Sequence, residues 1–286
     1  MTYRECYDRG AAVLKEAGIE EADLDARLLL EYVCATSRND LLVHGERQVE
    51  ESQADRYGEM LARRASRIPL QHLTGVQAFM GLEFLVDRRV LIPRQDTELL
   101  VEEALKHIHD GMQILDLCTG SGCILISLLH YSNDCTGVGV DISPKALEIA
   151  RENAGRLLGE AGETPGRIVF LLSDLLDKVE GMYDMVVSNP PYIPEGMIAS
   201  LMPEVRDHEP VSALDGGGDG LVFYRRILAG AGSCLKKGGM LFFEIGYDQA
   251  EAVSFLMEEA GFLEVQVVKD YAGLNRVVYG TLGFSV

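Results

Sequence analysis

Residues 113–129, QILDLCTGSGCILISLL, have the pattern of a buried strand, a glycine-containing loop and the start of an apolar helix. Glycines at 120 and 122 let the backbone come close to a ligand, and the amino terminus of the following helix points toward that ligand. Any tight strand-to-helix turn in an α/β protein uses glycine, so this loop by itself does not identify a ligand. The rest of the chain decides which fold contains the unit.

Strands and helices alternate from this stretch to the end of the chain. Near-continuous apolar strands separated by helical segments predict a parallel sheet that is covered by helices on both faces. Only DYAGL separates the last two strands, so these should pair antiparallel as a hairpin. The predicted strands are 113–117, 136–140, 168–172, 183–187, 239–244, 263–268 and 275–281. Seven strands that end in an antiparallel hairpin indicate an α/β fold of the class I methyltransferase type, a Rossmann-like fold, rather than a dinucleotide-binding one.

The chain divides into three predicted parts. Residues 1–67 show helical spacing of apolar residues and predict a small helical bundle. Residues 68–94 contain short alternating strands broken by glycine and predict a β-hairpin linker. Residues 95–286 form the predicted sheet domain, in which the first helix follows Thr97. The apolar stripe of the bundle includes Leu24, Leu28 and Tyr32, with Leu29 and Val33 beside them.

Composition restricts the classes of function. A chain of 286 residues with 47% hydrophobic content can bury a large core. No apolar run approaches the roughly 18 residues that span a bilayer, and the start MTYRECYDRG lacks the apolar core of a signal peptide. The net charge of −19 argues against a nucleic-acid substrate. No cysteine spacing fits zinc. We therefore expect a soluble, cytoplasmic protein with reduced thiols and no metal.

Acidic residues follow two neighbouring strands of the predicted sheet. Asp141 ends the second strand, where its carboxylate can accept hydrogen bonds from both ribose hydroxyls of a nucleoside. Asp174 and Leu175 follow the third strand and offer a carboxylate and an apolar surface. Either aspartate alone could equally be a helix N-cap. Because the carboxyl ends of parallel strands meet at one crevice, the strand ends together predict a nucleoside cofactor.

The fourth strand ends in SNPPYIPE, residues 188–195. Two consecutive prolines remove two backbone donors and fix two φ angles, so the chain is stiff and cannot continue the sheet ladder. The Asn189 side chain and the Pro190 carbonyl offer two fixed acceptors, Pro191 keeps the backbone stiff, and Tyr192 offers a ring face. A planar amide or amino group with two N–H donors complements these groups. A rigid turn that merely closes the strand is the alternative for an isolated NPPY.

The order of these motifs resembles that of S-adenosylmethionine-dependent methyltransferases that modify a planar nitrogen. Over nearly the whole chain the resemblance is to one family, the peptide chain release factor glutamine methyltransferases known as PrmC or HemK. LIPRQDTE and ALDGGGDGL are more specific than NPPY, because neither belongs to the general methyltransferase pattern. The matching segments are PLQHLTG (69–75), VLIPRQDTE (90–98), DLCTGSGC (116–123), SNPPYIPE (188–195), EPVSALDGGGDGL (209–221), FFEIGYDQ (242–249) and DYAGLNRVV (270–278).

The resemblance implies a transfer of methyl from S-adenosylmethionine, leaving S-adenosylhomocysteine, to the glutamine amide of the Gly-Gly-Gln motif in bacterial-type release factors. It implies substrate recognition by the amino-terminal bundle. The implied catalytic residues are Asn189, Pro190 and Tyr192, and Pro191 joins them in binding substrate. The implied cofactor-binding residues are Cys118, Thr119, Gly120, Ser121, Gly122, Asp141, Asp174, Leu175 and Asn189. Thr97 and Glu98 are expected to close the cofactor site from the linker.

Two positions depart from the family pattern. Gln95 stands where the family usually has proline, and Cys118 stands where many methyltransferases have glycine. Gln95 affects the geometry of the linker. The cysteine side chain at 118 is small enough to fit where other methyltransferases have glycine.

Three other functions are alternatives for these residues. An amino-methyltransferase for a nucleobase in rRNA or DNA would hold a flipped base with the same acceptors. The acidic charge of both parts of the chain and the lack of a basic recognition domain argue against it. A noncatalytic cofactor-binding scaffold would have no use for an intact NPPY. A nicotinamide dehydrogenase would need the full G-x-G-x-x-G spacing, which the glycine loop lacks.

Overall fold

The computed structural model describes residues 1–159 and 167–283. The chain forms two compact units. The amino-terminal unit is Met1–Val76 together with Met202–His208, and the sheet unit is Gln77–Leu201 together with Glu209–Val286. In the described residues, no helix is both long and apolar enough to cross a membrane.

Helices build the amino-terminal unit, as the apolar spacing predicted. Thr2 begins the first helix with a capping box, in which its hydroxyl accepts from Glu5 N and Glu5 accepts from Thr2 N. A short 203–206 helix from later in the chain also belongs to this unit. The helices are Tyr3–Glu16, Ala22–Cys34, Arg38–Val43, Glu51–Ala65, Leu70–Thr74 and Pro203–Arg206.

The buried face of the helix Ala22–Cys34 differs in part from the predicted stripe. Leu29 and Val33 are buried, whereas Leu24 is 39% exposed and Tyr32 is 41% exposed. Ala26 lies on the same buried face as Leu29, and its carbonyl accepts a hydrogen bond from the Tyr57 hydroxyl at 3.0 Å. Both stripes satisfy helical spacing. The small alanine allows the neighbouring helices to pack closely, which favours the stripe that contains it.

An ion-pair network fixes residues 202–208 within the amino-terminal unit. Arg64 Nε lies 2.7 Å from Asp25 Oδ2, and Arg64 Nη1 lies 3.0 Å from Glu204 Oε1. Arg67 Nη1 adds a contact of 3.1 Å to the same oxygen. Arg64, Asp25 and Glu204 are buried. Removing one of these side chains would leave a buried charge without a partner, which is strongly destabilising, so these ion pairs hold residues 202–208 firmly.

The strands of the sheet unit confirm the predicted fold class. The strands are β1 Val76–Phe79, β2 Leu82–Leu85, β3 Gln113–Leu117, β4 Thr136–Asp141, β5 Ile168–Leu172, β6 Tyr183–Ser188, β7 Leu235–Glu244, β8 Phe262–Lys269 and β9 Asn275–Leu282. Strands β1 and β2 pair as the predicted hairpin, and within the described residues β3 to β9 form one sheet in the order β5-β4-β3-β6-β7-β9-β8. Pairing is parallel from β5 to β7, and β9 is antiparallel to both β7 and β8.

Two boundaries differ from the sequence prediction by more than one residue. Strand β7 begins at Leu235 rather than at 239, because a register shift beside Tyr183 and a left-handed Gly238 (φ 78°) let the strand continue past its glycines. The first helix of the sheet unit begins at Gln95 rather than after Thr97, so Thr97 lies within the helix. The helices of this unit are Gln95–Leu105, Cys123–His130, Pro144–Leu157, Val222–Ala231 and Ala250–Glu259, with 3-10 helices at Glu195–Ser200 and Val211–Ala213.

Candidate active site

A cavity of about 300 Å³ opens at the carboxyl ends of β3, β4, β5 and β6, within the sheet unit. This is the edge at which ligands bind in open α/β sheets. It brings together residues that the sequence analysis selected from four separate strand ends. Those that line it are Cys118, Gly120, Asp141, Asp174, Leu175, Asn189 and Pro191.

Asp141 holds the glycine loop in place. Its Oδ2 accepts a hydrogen bond from Gly120 N at 2.9 Å, and its Oδ1 accepts one from Ser143 N at 2.8 Å. Ser143, not Asp141, is the N-cap of the next helix, because its hydroxyl accepts from Ala146 N at 3.2 Å. Burial raises the pKa of the Asp141 carboxyl, and the backbone hydrogen bonds oppose that rise. Each oxygen keeps a lone pair for a ligand.

The other predicted loop residues support the cavity from behind. Thr119, Ser121 and Gly122 are buried and are not among the residues that line it. The Thr119 hydroxyl donates to Asp116 Oδ2 at 2.6 Å, and the Ser121 carbonyl accepts from Asn153 Nδ2 at 3.0 Å. Burial raises the pKa of Asp116 to about 7. These three residues therefore shape the loop.

Apolar side chains complete the cavity wall beside Asp141. Ile142 lines the cavity and is 61% exposed, and Leu175 and Phe223 line it as well. An exposed apolar side chain in a cavity wall suits the flat face of a purine, and a carboxylate accepts hydrogen bonds from ribose hydroxyls. These residues therefore fit the nucleoside part of the predicted cofactor.

Asp174 has a partner that sequence reasoning missed. Arg226 Nη2 lies 2.9 Å from Asp174 Oδ2, and Arg226 also lines the cavity. Arg226 lies in the helix Val222–Ala231, far along the chain from Asp174, so no spacing rule connects the two residues.

Residues 193–195 pair with the glycine-rich segment ALDGGGDGL. Ile193 N donates to Leu214 O at 3.0 Å, and Gly216 N donates to Ile193 O at 2.8 Å. Glu195 N donates to Gly217 O at 2.9 Å. The prolines thus end the sheet ladder, and this second segment satisfies the backbone that follows them. SNPPYIPE and ALDGGGDGL, which are separate in the sequence, therefore form one structure.

Glycine is required where ALDGGGDGL meets Tyr192. A Cβ at Gly216 would lie 2.8 Å from both Cα and C of Tyr192. A Cβ at Gly220, whose φ is 74°, would lie 2.4 Å from Tyr192 O. Real Cβ atoms do not approach backbone this closely, so these glycines set the position of the NPPY loop.

Asn189 and Tyr192 are both held by other side chains. Asn189 Nδ2 donates to Thr97 Oγ1 at 3.3 Å, and the Tyr192 hydroxyl donates to Glu244 Oε1 at 3.3 Å. Burial raises the pKa of Glu244 to about 7, and hydrogen bonding from Thr97 opposes that rise. Pro190 is buried between these residues in the chain. Glu244 was missed as a site residue; its signal is a carboxylate at the end of the apolar strand GMLFFE.

Glu98, Gln95 and Cys118 have separate local roles. Glu98 Oε1 accepts from Met80 N at 2.6 Å and so secures the turn of the β1–β2 hairpin, and Glu98 is not among the residues that line the cavity. Gln95 is the first residue of its helix. Cys118 has φ 61°, a conformation that favours glycine, and burial raises the pKa of its thiol.

The sheet topology and this crevice define the class of protein as an α/β methyltransferase. A methyltransferase from Pyrococcus furiosus has the same fold, with a TM-score of 0.55 at 19% identity over 78% of this chain and 100% of that chain. Two family models match: "PrmC N-terminal domain" over residues 5–75 and "Methyltransferase small domain" over residues 94–204.

Curated relatives identify the family. The release factor glutamine methyltransferase of Clostridium acetobutylicum is 39% identical over 99% of both chains. That of Moorella thermoacetica is 43% identical over 96% of this chain and 97% of its own length. The chain belongs to the release factor glutamine methyltransferase family, as the motif order predicted.

Proposed function

We propose that this protein transfers a methyl group from S-adenosylmethionine to the side-chain amide nitrogen of the glutamine in the Gly-Gly-Gln motif of bacterial-type release factors. The observation that carries the proposal is Asn189: it lines the nucleoside cavity while its amide nitrogen is bound to Thr97. Its Oδ1 is thereby left to accept from a substrate amide. The family membership supports the same reaction. A substrate of the translation machinery favours a cytoplasmic enzyme.

The cofactor would be held by the residues around the cavity. Asp141 would accept from the ribose hydroxyls, Asp174 and Leu175 would lie at the adenine, and residues 118–122 would lie near the methionine moiety. Of that loop, Cys118 and Gly120 line the cavity. S-adenosylmethionine supplies an electrophilic methyl group on a sulfonium and leaves as S-adenosylhomocysteine.

The substrate amide needs help because its nitrogen lone pair is delocalised into the carbonyl. Asn189 Oδ1 and the Pro190 carbonyl accept its two N–H bonds and stabilise the positive charge that develops on nitrogen. Pro191 keeps both acceptors in fixed positions, and the Tyr192 ring packs against the amide plane. Holding the nitrogen in line with the methyl group supplies several kcal/mol, roughly, of the barrier reduction. The methylated nitrogen is acidic and releases its proton to solvent afterwards.

We assign substrate recognition to the amino-terminal part of the chain. The helical bundle of residues 1–67 and the hairpin linker of residues 68–94 would present the release factor to the methyltransferase domain of residues 95–286. The match of residues 5–75 to the PrmC N-terminal domain supports this division.

A transfer assay tests the function. Purified protein with methyl-labelled cofactor is offered release factor, a release factor whose glutamine is replaced by alanine, or nucleic acid. We expect label only on intact release factor. Label on nucleic acid alone would indicate the nucleobase methyltransferase instead.

The variant Asn189→Ala tests the assigned acceptor. We expect kcat to fall by about 100-fold, because a lost preorganised acceptor costs about as much as a lost oxyanion-hole donor, while the cofactor Kd stays within about tenfold. Asn133→Ala is the matched control, since Asn133 lies near the amino end of β4, opposite the cavity. Unchanged transfer by Asn189→Ala would refute the role.

A further inference from the structure

A buried carboxylate beside the NPPY loop has no part in the chemistry described so far. Glu244 ends β7 and is only 1% exposed. Its Oε1 accepts from the Tyr192 hydroxyl at 3.3 Å. Its Oε2 is buried and has no hydrogen bond of ordinary geometry from the described residues. A buried carboxylate is costly unless its oxygens are satisfied, so its presence calls for a reason.

Thr97 lies between this carboxylate and Asn189. The Thr97 side chain is buried, and its Oγ1 accepts from Asn189 Nδ2 at 3.3 Å. Burial raises the pKa of Glu244, and hydrogen bonding from the same hydroxyl opposes that rise. A hydroxyl has one hydrogen to donate and two lone pairs to accept with. Thr97 can therefore donate to Glu244 and accept from Asn189 at the same time.

We propose that Glu244 is a positioning residue that fixes the amide of Asn189 through Thr97 and the ring of Tyr192 directly. The proposal rests on the proposed glutamine methyl transfer. An ionised carboxylate can only accept, so it takes the single hydrogen of the Thr97 hydroxyl. Thr97 then presents only lone pairs to Asn189, which must turn Nδ2 toward Thr97. Its Oδ1 therefore faces the substrate amide.

The opposite orientation would be unproductive. An Asn189 amide turned by half a rotation would present two N–H donors to a substrate amide that also presents N–H donors. The side-chain amide has nearly the same shape in both orientations, so only its hydrogen-bond partners select one of them. The negative charge of Glu244 thus determines the orientation of the Asn189 side-chain amide.

Charged and polar groups surround Glu244. Burial raises the pKa of Glu244 to about 7; the positive charge of Arg276, whose side chain is 12% exposed, opposes that rise, and the negative charge of Asp96 adds to it. Arg276 also pairs with Asp96 at 3.1 Å and with Asp270 at 3.1 Å. The Tyr224 hydroxyl donates to the main-chain oxygen of Glu244 at 2.9 Å, which fixes the backbone of the strand end.

Substitutions at Thr97 and Glu244 test the chain of hydrogen bonds in the full-length enzyme. Thr97→Val keeps the shape but removes the acceptor, and Glu244→Gln adds a donor that can release the Thr97 hydrogen toward Asn189. We expect each to lower kcat by about tenfold, less than the loss expected for Asn189→Ala, with a smaller change in KM for release factor. The Kd of S-adenosylhomocysteine should stay within about threefold of wild type.

Rescue and coupling separate positioning from packing. Thr97→Ser retains the hydroxyl and should recover most of the kcat lost in Thr97→Val. Because both residues act through Asn189, the double variant Thr97→Val/Glu244→Gln should be about as active as Glu244→Gln alone. Thr136→Val at the first residue of β4, remote from the cavity, is the matched control. Circular dichroism verifies that each variant is folded.

The outcomes distinguish this proposal from the proposed function. The role of Glu244 would be overturned if Thr97→Val and Glu244→Gln kept a kcat within twofold of wild type. It would also be overturned if Thr97→Ser lost as much kcat as Thr97→Val. A wild-type enzyme that transfers no methyl to release factor would overturn the proposed function itself.

Discussion

Gly216→Ala offers a sharp test of how the NPPY loop is held. The added Cβ would lie 2.8 Å from Cα and C of Tyr192 and 2.9 Å from Cα of Gly220. Unstrained carbon atoms sit about 3.5–4.0 Å apart, so the backbone must separate by roughly 0.7–1.2 Å. All three neighbours are backbone atoms and cannot rotate away.

The magnitude follows from this displacement. Overpacking in a tight contact costs about 1–3 kcal/mol of the free energy of unfolding. Gly216 N also donates to Ile193 O at 2.8 Å, and a strained hydrogen bond of this type loses up to about 1 kcal/mol. A shift near 1 Å in a positioning group can cost about 100-fold in rate. We therefore expect kcat to fall between about 10-fold and 100-fold, a larger effect than the loss of stability alone would produce in a folded enzyme.

Gly218→Ala is the matched control within the same segment, because no described atom lies within 4 Å of the Cβ that it would add. Urea unfolding followed by circular dichroism gives the free energies of unfolding, since the chain contains no tryptophan. Methyl transfer to release factor gives kcat below the unfolding transition. If Gly216→Ala matched Gly218→Ala in both measurements, the contact with Tyr192 would not set the loop.

Two further predictions concern the positions that depart from the family pattern. Gln95 is the first residue of its helix and follows an extended Arg94 (φ −99°, ψ 149°), a setting that suits proline, so Gln95→Pro should raise the free energy of unfolding by about 0.4–1 kcal/mol. Urea unfolding measures this free energy. As a control, Glu102→Pro, inside the same helix, should lower the free energy of unfolding by about 3 kcal/mol. A decrease for Gln95→Pro would contradict the assignment of Gln95 as the first residue of the helix. The free energy of unfolding of Cys118→Gly should be about 1 kcal/mol higher than that of Cys118→Ala, because φ at this position is 61° and favours glycine. Equal free energies of unfolding for the two variants would count against that conformation.

The sequence predicted the sheet well because strand signals are local. Apolar runs bounded by polar or glycine residues predicted all seven strands of the sheet, including the antiparallel hairpin of β8 and β9. Carboxyl ends of parallel strands must share one edge, so the sequence alone predicts Asp141 and Asn189 at one crevice, and both line it.

Local patterns were weaker where two choices satisfied the same rule. Helical spacing allowed either stripe of the helix Ala22–Cys34, and packing against neighbouring helices selected Leu29 and Val33 over Leu24 and Tyr32. A carboxylate near a strand end could be a ligand group or a support, and Glu98 secures the hairpin turn instead of the cofactor.

The amino-acid sequence by itself determined the α/β fold, the crevice at the strand ends and the stiff NPPY segment, because each follows from local strand and turn patterns and from the rule that parallel strands end at one edge of a sheet. Only the tertiary structure brought Thr97 and Glu244 to Asn189 and placed Gly216 against Tyr192. These contacts join separate elements and depend on atomic distance, steric fit and the direction of single hydrogen bonds. Residue type and spacing carry no information about such directions, which is why the orientation of the Asn189 amide became apparent only in three dimensions.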